Sequence, residues 1–293
     1  MDAPPTTARD RLMHRATYAS VSVAVVLLTA KLLAWWMTDS LAMLSSLTDS
    51  LFDVVMSVLN LFAVRYALKP ADDDHRFGHS AIEDIAGLAQ CAFITAAMGI
   101  VILQSAERLA NPTATLSNPA LGIGVSLLGM VLTTGLVLYQ TRVTRRTHSL
   151  VIAADRLHYF GDVLFNGGVL IAFVLSSWGG LIWADGAMAM LIALVVLWSN
   201  RVIGIRAFHH LMGREMPVVE QQEIDALIKA QPGIRGYHKL KTRYAGAKAF
   251  IQLHVEIDAS LHFRDAHAIT DELEKALLRR FPDAEIIVHP DPV

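Results

Sequence analysis

The sequence predicts a membrane-embedded all-α domain of six helices followed by a small cytoplasmic α+β domain. Three observations carry this. The 293 residues are 54% hydrophobic and only 18% charged, whereas soluble domains run nearer a quarter charged; mean hydropathy is +0.43. Six stretches, roughly 16–37, 41–67, 81–108, 118–140, 148–176 and 180–204, are apolar over about the 20 residues that a helix needs to cross a bilayer. After Gly204 the chain turns charged, with no further span, which divides it into residues 1–208 and 209–293. The net charge of −2 excludes little, and the single cysteine, Cys91, excludes an intrachain disulfide and a Cys-based zinc site.

Taken in order, the polar start "MDAPPTTARDRLMHR" shows no signal peptide. Arg9, Arg11 and Arg15 precede span one. Arg65, Lys69 and Arg76 lie around loop 2–3, and Arg142, Arg145 and Arg146 lie in loop 4–5. Loops 1–2 and 5–6 carry no Lys or Arg, and loop 3–4 has only Arg108 near its start. Positive charge stays inside, so both termini are expected in the cytoplasm. Lys31, near the outer end of span one, is expected to snorkel.

Span two contains "LTDSLFDVV". Asp49 and Asp53 are four residues apart, hence on one helical face about one turn apart. A carboxylate at the bilayer centre costs roughly 3 kcal/mol or more, so intramembrane acids are functional by default. Span five repeats the spacing in "ADRLHYFGDVLFNGG", with His158 and Asp162. Asp53 is 12 residues in from Leu41 and Asp162 is 14 in from Ser176, so the pairs fall at similar depth. Three carboxylates and an imidazole form an N/O shell for a divalent metal, zinc-like if tetrahedral. Helix–helix polar contact is the plainer account of such residues, and two matched pairs at one depth argue against it.

Loop 2–3 holds "ADDDHRFGH". Asp72, His75 and His79 are spaced i, i+3, i+7 and would share a face if helical; Asp73 or Asp74 would serve in place of Asp72. A solvated acidic loop before a helix N-terminus is the alternative. In span three Cys91 reads as a small packed residue, and Gly and Ala in spans three and six allow close helix contacts. Asp155 and Asp185 lie near span ends, where water is expected. "HHLMGREMP", with His209 and His210, reads as a linker.

Beyond it, "VVEQQEIDALIKAQ" has helical periodicity, "YHKLKTRYAG" and "AKAFIQLHVEID" alternate like strands around a turn, "FRDAHAITDELEKALLRRF" is an amphipathic helix, and "AEIIVHPDP" is a final strand. The order αββαβ predicts helices on one face of a sheet. His238, His254 and His289 fall on strands or their ends, His267 opens a helix, and His262 reads as solvated. No Gly-rich phosphate loop precedes a Lys, so no ATPase signature is present, and nothing points to nucleic acid.

"SLTDSLFD" with "LHYFGD", the loop "PADDDHRFGH" and the ending "IIVHPDP" resemble the cation diffusion facilitators, in particular their bacterial zinc/iron-efflux branch. The resemblance covers nearly the whole chain. It implies six helices plus a metallochaperone-like αββαβ domain, a homodimer in the bacterial inner membrane, and export of Zn²⁺, with Fe²⁺ or Cd²⁺ as other cargo, against protons. It carries Asp49, Asp53, His158 and Asp162 onto the transport site and Asp72, His75 and His79 onto a loop site. It carries His238, His254, His267, His289 and Asp291 onto a two-metal tail site at the dimer interface. Pro290 replaces the commoner polar residue between His289 and Asp291. Ala81 and Gly213 stand where relatives often carry a Lys–Asp interlock, leaving apolar packing or Glu83 and Arg214 to substitute. A receptor that senses metal without flux, or an intramembrane hydrolase, are the other classes; neither a cleft motif nor a nucleophile triad favours the latter.

Overall fold

The computed structural model describes residues 8–38, 41–110, 120–179, 181 and 183–293. The first residues of the polar start, most of loop 3–4, the first residues of spans four and six, and the side chain of Asp185 lie outside the described residues.

Six long helices come first: α1 (Ala8–Thr38), α2 (Leu41–Ala67), α3 (Ile82–Ala110), α4 (Ala120–Thr147), α5 (Leu150–Gly179) and α6 (Ala184–Leu211). Most outrun the apolar stretches that predict them. Helical hydrogen bonding continues into polar sequence once a turn is nucleated, so α1 starts eight residues before its apolar run and α4 ends beyond Arg146. Charge placement suits the helix dipoles, with Glu83 and Asp84 in the first turn of α3 and Arg145 and Arg146 in the last turn of α4. By length and composition four of the six, Ala8–Met37, Ser46–Ala67, Ile82–Ala110 and Gly186–Leu211, are apolar enough to cross a membrane among the described residues. α5 interrupts its apolar run with Asp155, Arg156 and Asp162.

The helices pack through small residues and branched aliphatics. Met13, Ala16, Val64, Val143, Val151 and Ile152 join α1, α2, α4 and α5 near the α4–α5 turn. Ile94, Ile192 and Val196 join α3 to α6. A Cβ added at Gly168 would stand 2.4 Å from Ile192 Cδ1, so this glycine lets α5 and α6 approach closely. Buried Cys91 donates weakly to the Asn200 carbonyl, as a small packed residue should.

The chain divides into two compact units, one ending at Ala207 and one beginning at Phe208. The second contains α7 (Val218–Ala230), β1 (Ile234–Ala245), β2 (Lys248–Ile257), α8 (Phe263–Arg280) and β3 (Glu285–Pro292). The sheet order is β1-β2-β3. β1 and β2 form an antiparallel hairpin, and β3 returns parallel to β2 by way of α8. The side-chain period of two sorts β2 cleanly. Ile251, Leu253, Val255 and Ile257 are buried against Ile224 and Ile228 of α7 and Leu273 and Leu277 of α8. Each such side chain contributes roughly 1.5–3 kcal/mol by leaving water. Gln252, His254 and Glu256 point to the opposite face. On the edge strand β3, Pro290 sits opposite Val255 and Pro292 opposite Ile257, while the Val293 N–H donates to the Ile257 carbonyl.

Candidate metal centres

Three clusters of ligand-type side chains form among the described residues, and each collects residues that the sequence singles out. In the helical unit, Asp53 of α2 meets His158 and Asp162 of α5, with one ligand atom of each within 4.8 Å of the others. His158 Nε2 is 2.9 Å from Asp53 Oδ1 and 4.0 Å from Asp162 Oδ2. The two helices run antiparallel here, because Asp53–His158, Ser57–Tyr159 and Asn60–Asp155 contacts follow one another along them. Asp49, one turn before Asp53, is exposed and stays outside the trio. The trio keeps an opening: the side chains of Asp53 and His158 are 18% exposed and that of Asp162 38%.

Asp72, His75 and His79 also meet, though not on a helix. The segment is a series of turns. The Asp72 carboxylate accepts from the backbone N–H groups of Asp74 and His75, a local geometry that aspartate favours. Its two oxygens then lie 3.2 Å from His75 Nδ1 and 3.2 Å from His79 Nε2. The backbone N–H of His75 is the main reason the Asp72 carboxyl is held below its usual range. Asp73 turns to Arg76 instead, at 2.9 Å. His79 is buried edge-on against Tyr66, and its Nδ1 has no hydrogen-bond partner.

In the tail, strand register does the assembling. His238 pairs with His254 across β1–β2, and His254 with His289 across β2–β3. Three imidazoles therefore stand in one row on the face away from α7 and α8. Asp291, two residues beyond His289, shares that face. Its carboxylate lies 3.1 Å from His238 Nε2, 2.9 Å from His254 Nδ1 and 3.3 Å from His289 Nε2. The bond from His254 is the leading cause that holds the Asp291 carboxyl below its usual range. Glu256 adds an unforeseen carboxylate, 3.3 Å from His238 Nδ1. Gly236 makes room for it, since a Cβ there would stand 2.5 Å from Glu256 Oε2. His267 is not in this row; on α8 it stacks on Phe263.

One expectation is corrected. Asp155, expected near water, is 2% exposed. Its carboxylate accepts from Ser20 of α1 at 2.8 Å, Asn60 of α2 at 2.9 Å and Gln140 of α4 at 2.6 Å. The α5 residues before it are packed by three other helices, so an apolar-run boundary misjudges where water begins. Glu83 is buried and faces Arg9 at 3.6 Å. His209 and His210 lie in the last turn of α6, just after the boundary between the two units.

A profile of the cation efflux transmembrane domain matches residues 17–212, and one of the cation efflux protein cytoplasmic domain matches residues 216–293. The chain belongs to the cation efflux family. Cation efflux relatives are close across the whole length. The cation-efflux pump FieF of Salmonella paratyphi A is 43% identical over 282 residues, 96% of this chain and 93% of that protein. FieF of Salmonella arizonae is 42% identical over the same shares. Among solved structures, a CzrB chain is 31% identical over 27% of this chain and 98% of its own, with a TM-score of 0.26. Membership fits the helical unit, the small α+β unit and the three clusters.

Proposed function

We propose that this protein exports a divalent metal cation, Zn²⁺ first, from the bacterial cytoplasm across the inner membrane in exchange for protons. The observation that carries the reading is the convergence of Asp53, His158 and Asp162 within 4.8 Å inside the helical unit. Two carboxylates and an imidazole suit zinc-like ions, with Fe²⁺ and Cd²⁺ as further cargo. Asp49, one turn away on the same face of α2, would close the shell as a fourth ligand. The cation requires ionised carboxylates and a neutral imidazole, so its arrival expels protons and its departure takes them back. Exchange follows if the trio faces the two sides in turn. The proposal needs no covalent step, and the FieF relatives are named as cation-efflux pumps.

The loop cluster of Asp72, His75 and His79 is proposed as a second metal site. The tail row of His238, His254, His289 and Asp291 is proposed as a regulatory one. Its mixed imidazole and carboxylate donors fit zinc. His267 would join from a second copy, making the working unit a homodimer with domains at 1–208 and 209–293 and both termini cytoplasmic.

The deciding experiment is Zn²⁺ flux in proteoliposomes under an imposed pH gradient. Gradient-dependent flux with proton release on metal binding is expected. Metal binding without flux would leave a receptor, and flux indifferent to the gradient would refute exchange.

A further inference from the structure

We propose that Asp155 is a positioning residue for transport. Its carboxylate is the hub of a latch that joins α1, α2 and α4 to α5, on the side of the trio nearest the α2–α3 loop. The path from that side to Asp53, His158 and Asp162 opens only when these hydrogen bonds break. The inference rests on the transport reading above.

The placement is set by helix geometry. On α5, Asp155 precedes His158 by three residues, nearly one turn toward the α4–α5 connection. On α2, Ser57 and Asn60 follow Asp53 by one and two turns, toward the α2–α3 loop. The layer therefore lies between the trio and that end of the bundle. Six side chains form it: Ser20, Ser57, Asn60, Gln140, Asp155 and Tyr159, each at most 3% exposed. The trio on its other side is markedly more open, up to the 38% of Asp162. In this arrangement the layer is shut.

Its hydrogen bonds have a definite direction. The single hydroxyl proton of Ser20 goes to Asp155 Oδ2. Ser57, 2.9 Å from Ser20, must then donate to it, and Tyr159, 2.8 Å from Ser57, must donate in turn. The chain Tyr159 → Ser57 → Ser20 → Asp155 ends on a carboxylate that also accepts from Asn60 and Gln140. Every donor points toward one acceptor. An apolar seam can slide, but here one carboxylate is met from three helices at once, and separating α5 from α1, α2 or α4 leaves buried polar groups unmet. Such an element has two discrete states, closed with all bonds made or open with water taking them over. Tyr159 couples it to the site, since it is the next residue after His158 and their rings lie 5.3 Å apart.

The test uses the full-length protein in proteoliposomes with Zn²⁺ as the probe. It reads maximal flux, the half-saturating Zn²⁺ concentration, and Zn²⁺ binding in detergent. Exchange also needs the layer to shut again while the other side is open, so in Asp155→Ala, which cannot re-form it, the maximal rate should fall about 10–100-fold, the range typical of supporting residues, with half-saturation in the same decade. Asp155→Asn keeps the shape. Gln140 Oε1 has no hydrogen-bond partner, so turning that amide gives the new side chain an acceptor, and most of the flux should return. Ser20→Ala and Asn60→Ala each remove one donor and should show the same split to a smaller degree, which covers an Ala variant that does not fold. Wild-type flux in Asp155→Ala, or binding lost in step with rate, would overturn the latch. Equal loss in the Ala and Asn variants would overturn it too. Absence of zinc flux in the wild-type protein would instead overturn the transport reading.

Discussion

His158 Nε2 stands 2.9 Å from Asp53 Oδ1, although 105 residues separate the two in sequence. The contact ties α2 to α5 through two side chains whose burial in an apolar helix bundle has no packing rationale. A cation between them would gain two ligands of different hardness at once. Substitution at the two positions should therefore have different consequences.

Asp53→Ala leaves too few donors around the ion. Zinc flux should drop by more than the roughly 100-fold seen for supporting residues, while the tail continues to bind zinc. His158→Asp retains the number of donors but makes them all oxygen. Mn²⁺ should be accepted better and Zn²⁺ less selectively, and the pH profile between pH 6 and 8 should change because a carboxylate replaces an imidazole that binds metal only when neutral. Parallel flux assays with both ions check this; unchanged selectivity would remove His158 from the cargo's surroundings.

If the proposed tail ligands come from two copies, binding couples to dimerisation and the tail should associate more tightly when zinc is present. Sedimentation of residues 209–293, with zinc and with chelator, measures it. His254→Ala and Asp291→Ala should erase the difference. Association that ignores zinc in the unsubstituted fragment would end the regulatory reading.

Gly236→Ala probes the unforeseen carboxylate. The added methyl meets only the end of the Glu256 side chain, so the fold should survive. Glu256 must swing away from His238, and the imidazole loses the carboxylate at its Nδ1. Zinc affinity of the tail should weaken about 10-fold, as for other groups that hold a ligand in place. Calorimetric titration reads the change, and unaltered affinity would make Glu256 a bystander.

Acid should weaken the tail slightly in a defined window, because the carboxylates concerned reach solvent. Asp225 is held below its ordinary range chiefly by Lys229, Asp258 chiefly by the Ser260 hydroxyl, and Asp271 chiefly by Lys275. Each is easier to ionise folded than unfolded. Their contribution is complete above the unfolded carboxylate value of about 3.9 and disappears as pH falls through the lower folded values. Urea midpoints of the fragment should be flat from pH 7 to about 5 and decline below 4. Leu273→Ala, which empties a fully buried position between α8 and the sheet, should lower stability by about 2–5 kcal/mol at any of these pH values.

The sequence is most legible where one helix or strand suffices to make the pattern. Asp49 and Asp53, or His158 and Asp162, announce themselves by four-residue spacing inside apolar runs. The alternation in β2 announces which side of the sheet is core. Spacing could align Asp49 with Asp53 but not say which reaches His158; that depends on the rotation of α2 against α5. The loop residues meet through an Asx-type turn at Asp72, so their helical spacing was coincidental to the outcome. The burial of Asp155 is illegible in sequence because its surroundings come from Ser20, Asn60 and Gln140, on three other helices. No periodicity within α5 encodes them. Glu256 became visible only with the β1–β2 register that sets it beside His238.

The two prolines of β3 have a consequence for how copies of this chain can meet. Because the Val293 N–H turns inward to Ile257, the alternation of the strand turns the nitrogens of Pro290 and Pro292 outward, to the open edge of the sheet. Neither carries a hydrogen to donate. The margin that would otherwise recruit a foreign strand is therefore blunted. Two such domains cannot readily fuse into one sheet through their β3 edges. The sheet's other edge, β1, contains no proline, so the guard against runaway, amyloid-like stacking stands on one margin only.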